Sequence, residues 1–291
     1  MIHLVTDSTA YLPSEIKAKY HVHTISLKIC VGDKTYDEEG GITRDEFFRL
    51  LARVETAPTT SQPSAGEFMA LYRDLLKNEA DEIVSVHISE GLSGTVPNAL
   101  VAAREVAPDR ITVIDSRTAA IGLFIMVVSA GEAIAAGKSR DEVVSILQRM
   151  VDESQAFFMV ENLAYLHKGG RINTAARFLG TLLNIKPILY MKDGKIEALD
   201  KTRTSKRARQ RILDEIANAM GDRLVRVSIA HIQSPEAAEG LAAAARDRLR
   251  LASLHISEVG PVIGTHVGPG FLGIAACRSR APPPKCACLL Y

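Results

Sequence analysis

Apolar and polar positions along the chain follow two periods, and the switches between them mark out the elements. IHLVT at 2–6 reads as a strand, DSTAYLP at 7–13 as a turn, and SEIKAKY at 14–20 as a short helix. HTISLKICVG, 23–32, reads as one further strand and TYDEEGGI, 35–42, as a loop. The period then lengthens to that of a helix. TRDEFFRLLARV puts Phe47, Leu50, Leu51 and Val54 on one face, and Thr43 stands three residues before Glu46. That spacing is a capping box, in which each side chain satisfies a free backbone donor. SAGEFMALYRDLLKN repeats the device with Ser64 and Glu67, and Phe68, Leu71 and Leu75 form its stripe.

EIVSVHI (82–88) and ITVID (111–115) read as strands, ALVAAREVA (99–107) as a helix, and AIGLFIMVVSAGEAIAAG (120–137) as a helix buried on every side. Ser139 and Glu142 open another capped helix. Strands alternating with helices of this length imply βαβ units and a parallel sheet.

The texture changes near residue 160. TAARFLGTLLN (174–184) reads as a helix, and KPILY and KIEAL as strands joined by an Asp193-Gly194 hairpin turn. Helix ILDEIANAM, strand VRVSIAHI and helix PEAAEGLAAAARDRLR follow, then two strands around the glycine-rich bend GPVIGTHVGPG, 260–270. The expected fold class is α/β with two domains. Residues 1–160 form a parallel-sheet domain, and 161–280 a smaller α/β domain with a mixed or antiparallel sheet. Residues 281–291, with their Pro triplet, form a disordered tail.

Composition narrows the class. Of 291 residues 47% are hydrophobic and 24% charged, which excludes a disordered chain, and the net charge of +1 points to neither nucleic acid nor an anionic membrane. With no Trp and 5% aromatics, the core is aliphatic. Cys30, Cys277, Cys286 and Cys288 form no C-x-x-C pair, so neither a zinc site nor a redox motif is supported. The amino terminus lacks the basic-then-apolar pattern of a secretory signal, and no apolar run reaches membrane-spanning length. The expectation is a reduced, cytoplasmic protein with no metal and no cofactor.

Small hydroxyl or carboxylate residues recur just after apolar segments: Asp7-Ser8-Thr9, Thr60 to Ser64, Ser89 to Thr95, and Asp115-Ser116. In a parallel sheet such turns share one rim, where ligands gather. Two of them lead directly into helices, whose first amides suit a carboxylate or phosphate. Ser93 is open to three roles: nucleophile, helix cap or ligand-holding oxygen. Gly91-Leu92-Ser93-Gly94-Thr95 departs from G-x-S-x-G because its second glycine comes too early, which counts against a nucleophile elbow. His266, between Gly264-Thr265 and Val267-Gly268, sits in a bend where backbone can approach a ligand closely. Arg171 follows the glycine turn HKGG, and Arg203 lies in the acid-free basic segment 201–211. That segment lacks aromatic stacking residues, so an acidic protein partner suits it better than nucleic acid.

Taken in order, DSTAYLP, PTTSQPS (58–64), ISEGLSGT (88–95), VIDS (113–116), HKGGRI (167–172), KPIL (186–189) and GTHVGPG (264–270) resemble the DegV family of bacterial fatty-acid-binding proteins, over residues 1 to about 276. The resemblance implies a buried tunnel for one long-chain fatty acid, with its carboxylate end at the domain interface. By motif position, Thr60, Ser61, Ser93 and His266 hold the carboxylate, supported by the turn at Gly94 and Thr95. Arg171 and Arg203 face a separate ATP-dependent fatty acid kinase, which makes an acyl phosphate for phospholipid synthesis. The implied protein performs no chemistry itself and contacts the membrane transiently for ligand exchange. The alternative is a Ser/His esterase or acyltransferase using Ser93 and His266.

Overall fold

The computed structural model describes residues 1–54, 56–178 and 185–279. The far part of the expected helix 174–184 and the tail 281–291 lie outside the described residues; 173–178 form a 3-10 turn. Two compact units divide between Asp152 and Glu153.

The first unit runs β1 (Ile2–Asp7), α1 (Ser14–Tyr20), β2 (Val22–Ile25), β3 (Lys28–Val31), β4 (Lys34–Asp37), α2 (Arg44–Leu51), β5 (Thr59–Ser61), α3 (Ala65–Leu75), β6 (Glu82–His87), α4 (Thr95–Val106), β7 (Ile111–Asp115), α5 (Ile121–Ala135) and α6 (Arg140–Glu153). Its main sheet has the order β2-β1-β6-β7, with every neighbour parallel. Val5 and Ile83 of that sheet pack with Phe68 and Tyr72 of α3 and Ala99 and Ala102 of α4. The small alanines let α4 lie close, and each fully buried large apolar side chain contributes about 1.5–3 kcal/mol. α5 buries Ile121 to Val127 without interruption, as its unbroken apolar run requires. Both capping boxes form: Thr43 Oγ1 accepts from Glu46 N, and Ser64 Oγ accepts from Glu67 N.

Three expectations for this unit are corrected. HTISLKICVG is two strands in two sheets, β2 and β3, because Leu27 leaves the ladder. Its amide donates to Ser8 Oγ (3.0 Å) and its carbonyl accepts from Glu38 N (2.9 Å). TYDEEGGI is not wholly a loop: Lys34–Asp37 form β4, paired antiparallel with β3 across the two-residue turn Gly32-Asp33. Gly32 takes φ 56°, the left-handed value such a turn favours. Thr60 and Ser61 are not in a rim turn of the parallel sheet. They lie in β5, which pairs with β3 in a separate sheet of order β4-β3-β5.

The second unit runs β8 (Gln155–Met159), α7 (Ala164–Lys168), β9 (Lys186–Lys192), β10 (Lys195–Thr202), α8 (Ser205–Met220), β11 (Leu224–His231), α9 (Pro235–Arg248), β12 (Arg250–Glu258), α10 (Pro261–Val267) and β13 (Leu272–Arg278). The sheet order is β10-β9-β8-β13-β11-β12; only β11 and β12 run parallel, the other neighbours antiparallel. Asp193 and Gly194 turn the β9–β10 hairpin at φ 48° and 75°. Ile212 and Ile216 of α8, Leu241 and Ala245 of α9, and Ile229 and Ile274 of the sheet form its core.

The glycine-rich bend is corrected here. Residues 261–267 form α10, with Pro261 at its first turn and Gly268 ending it at φ 73°. His266 therefore stands on a helix. Val, Ile, Gly and Thr are weak helix formers, so the pattern hid a turn that tertiary packing sets.

Candidate functional site

Asp7, His87 and Asp115 are the last residues of β1, β6 and β7, so the turns after them share the carboxyl edge of the parallel sheet. Ser89 N donates to Thr118 O (2.8 Å) and Ser116 N to His87 O (3.1 Å), which ties the β6 and β7 loops together. Asp115 Oδ1 accepts from Arg117 N (2.8 Å), a local turn bond; burial pushes its carboxyl above the ordinary carboxylate range.

Sequence reasoning assigned no role to His87, and the structure centres a polar chain on it. Tyr72, Ser85, His87 and Asp7 are each 0% exposed. Tyr72 OH lies 2.9 Å from Ser85 Oγ, Ser85 Oγ 2.7 Å from His87 Nε2, and His87 Nδ1 3.1 Å from Asp7 Oδ2. Asp7 Oδ2 also accepts from Ile88 N (2.8 Å), and Oδ1 accepts from Thr9 N (3.1 Å) and Thr9 Oγ1 (2.5 Å). Donation from Tyr72 through Ser85 and His87 to Asp7 satisfies every group; the reverse order strands the phenol proton among the described residues. The acid, imidazole and hydroxyl stand in the order of a hydrolytic triad, but their burial keeps Ser85 from any substrate. Phe68 closes the imidazole from the side, edge-on at 5.1 Å. The signal lay in EIVSVHI, where Ser85 and His87 are polar at alternate positions of a buried strand.

Ser93 does not cap α4. The cap residue is Gly94, with no side-chain cap bond among the described residues, and Ser93 Oγ instead lies 2.8 Å from Thr95 Oγ1. Thr95 and Val96 thus present first-turn amides of a twelve-residue helix beside two hydroxyls. Pro97 falls at the third helical position, where its missing N–H breaks no helical bond.

PTTSQPS is brought against the same helix start. Asn98 Nδ2 donates to Pro63 O (2.8 Å), and Gln62 Nε2 stands 2.9 Å from where a Cβ on Gly94 would be. Thr60 and Ser61 are half-buried on β5, and Ser64 is occupied by its capping box.

In the second unit His266 and Arg171 converge on Gly169. The His266 ring lies where a Cβ on Gly169 would be, and Arg171 Nη1 donates to Gly169 O (2.6 Å). Burial pushes the His266 imidazole down to about 4, and the Arg171 guanidinium adds to the shift. The imidazole is therefore neutral at pH 7. A methyl group on Gly169 would drive the ring out, so Gly169→Ala is expected to lower stability by about 1–3 kcal/mol. It should also return the His266 titration toward 6.5, read by NMR. Gly268 and Gly270, at φ 73° and 77°, give close passage to Tyr165 and Glu161. Arg203 is exposed just before α8, whose first turn carries Lys206 and Arg207 and no acid.

No helix of the described residues is long and apolar enough to cross a membrane. Among those residues no group of three or more His, Cys, Asp or Glu is arranged to hold a metal ion.

A model of the DegV family, described as uncharacterised proteins, matches residues 1–279. A DegV domain-containing protein of Streptomyces coelicolor is 39% identical over 272 residues, covering 93% of this chain and 96% of its own. A solved structure of a DegV family protein from Thermus thermophilus, reported for its fatty acid binding, superposes with TM-score 0.91 at 37% identity, covering 96% of this chain and 99% of that one. DegV of Bacillus subtilis, solved as a fatty acid binding protein, gives TM-score 0.84 at 35% identity, covering 96% and 99%. Family model, relatives and solved structures agree across both units, and the chain belongs to the DegV family.

Proposed function

We propose that this protein binds one long-chain fatty acid and holds its carboxylate at the start of α4. The observation that carries the reading is the uncapped first turn of α4 beside the Ser93–Thr95 hydroxyl pair, with the TSQPS segment laid against it. A carboxylate accepts from such amides and hydroxyls without any nucleophile, and the helix dipole favours its charge. Thr60, Ser61 and Ser93 are the proposed hydroxyl partners, with Gly94 and Thr95 shaping the turn. The names of the Thermus and Bacillus proteins support a fatty acid as the ligand.

The energetics favour the same division of labour. Each buried methylene contributes about 0.8 kcal/mol, so an aliphatic lining supplies affinity. A buried carboxylate is costly unless hydrogen-bonded, so the polar end supplies orientation. In this reading the protein presents the acid to a separate ATP-dependent kinase for phosphorylation, with Arg171 and Arg203 on the presenting surface. Ligand exchange takes place at the membrane. The hydrolase reading finds no support at Ser93, whose hydroxyl partner is Thr95 rather than an imidazole.

Native mass spectrometry of the purified protein is the test. One fatty acid retained per chain is expected, and Ser93→Ala should weaken retention about tenfold, the value of one charge-assisted hydrogen bond. A protein that carries no lipid and takes up neither added oleate nor palmitate overturns the reading.

A further inference from the structure

The turn Asp7-Ser8-Thr9 is absorbed neither by the hydroxyl pair nor by the basic segments, yet its first two side chains are 0% and 2% exposed. They point to different parts of the structure. Asp7 accepts from Ile88 N, the first amide of the loop that carries Ser93, and it holds His87, whose carbonyl anchors the β7 loop through Ser116 N. Ser8 does the equivalent for the small sheet. Its hydroxyl donates to Glu38 Oε2 (2.6 Å) and accepts from Leu27 N (3.0 Å), and Tyr11 OH donates to Glu38 Oε1 (3.0 Å). Glu38 follows β4 and Leu27 precedes β3, and β3 is the strand against which Thr60 and Ser61 are registered.

We propose that Asp7 and Ser8 are positioning residues: one turn registers the two hydroxyl-bearing segments, Ser93 through Asp7 and His87, Thr60–Ser61 through Ser8 and Glu38. Neither touches the ligand. Asp7 accepts four buried hydrogen bonds, and Ser8 accepts one and donates one. Neither can shift without leaving buried groups unpaired, so the two segments are fixed relative to a common origin at the end of β1. The inference rests on the fatty-acid reading given above.

Double-mutant cycles on the full chain test it, with oleate as the probe and thermal midpoint as a parallel readout. Asp7→Asn removes an acceptor without changing volume. It should weaken oleate binding about tenfold in the parent and less than about twofold in a Ser93→Ala background, because positioning a hydroxyl matters only when the hydroxyl exists. The loss of thermal midpoint should be equal in both backgrounds. Ser8→Ala should behave likewise against a Thr60→Ala/Ser61→Ala background. Equal loss of oleate affinity with and without the hydroxyls would overturn the proposal, since a general destabilisation acts in both. Thr9→Val, which removes only the hydroxyl donor to Asp7 Oδ1, replaces Asp7→Asn should the latter fail to fold. A parent that binds no oleate sinks the fatty-acid reading itself, a result distinct from additive cycles in a parent that binds.

Discussion

Phe68→Ala is expected to cost about 3–5 kcal/mol of stability, the range for truncating a fully buried aromatic. Phe68 is 0% exposed in the core between α3 and the parallel sheet, and its ring lies 5.6 Å from Tyr72 and 5.1 Å from His87. Removing it does more than open a cavity. The ring shields the Tyr72–Ser85–His87–Asp7 chain, and water reaching that chain would compete for each of its bonds. Phe68→Leu keeps most of the volume and should cost less than half as much. The urea midpoint of each variant measures the difference. An alanine variant within 1 kcal/mol of the parent would mean that the ring does not organise this core.

The second large effect is acid lability. His255 and His266 are both pushed down to about 4 by burial, with Arg171 adding to the shift at His266. Their unfolded values are near the ordinary imidazole value of 6.5, so between pH 6.5 and 4 the unfolded chain binds more protons than the folded one. Stability from these groups is complete above about pH 6.5, falls as pH drops through that window, and is fully lost below about 4. Each contributes at most roughly 3 kcal/mol, from the unit conversion of 1.36 kcal/mol per pKa unit. Asp81, held at about 2 mainly by its backbone and side-chain bonds to Asn78, acts only below the ordinary aspartate range, so the windows separate. Chemical denaturation at pH 7, 5.5 and 4.5 should show a progressive fall, and His255→Gln should flatten part of it. A parent equally stable at pH 7 and 4.5 would refute the linkage.

What was legible in the sequence follows the range of the interactions involved. Thr43 with Glu46, Ser64 with Glu67 and Asp193-Gly194 are rules acting over two to four residues, and each formed where it was read. The alternation of strands and helices likewise pointed to the parallel main sheet of the first unit and the mixed second sheet, but not to the antiparallel sheet β4-β3-β5. The errors sit where a distant partner decides. Leu27 breaks HTISLKICVG because Ser8 and Glu38 take its backbone groups, and neither is adjacent in sequence. His266 was expected in a bend because its neighbours are poor helix formers, yet packing beside Gly169 makes a helix of it. Ser93 stands out in the sequence, but its relation to Thr95 depends on Gly94 taking the cap position. His87 was passed over because Asp7, its partner, lies eighty residues away.

The place of β13 bears on how the chain is made. Among the described residues it is the last strand in sequence but an inner strand of its sheet, flanked by β8 and β11. During synthesis the first unit has all its strands once residue 115 has emerged. The second has two half-sheets, β10-β9-β8 and β11-β12, each with an open edge until residues 272–278 leave the ribosome. Unpaired edges of that kind recruit other strands. The nascent second unit is thus exposed to mispairing for nearly its whole synthesis, and a chain cut short before Leu272 leaves both edges open for good.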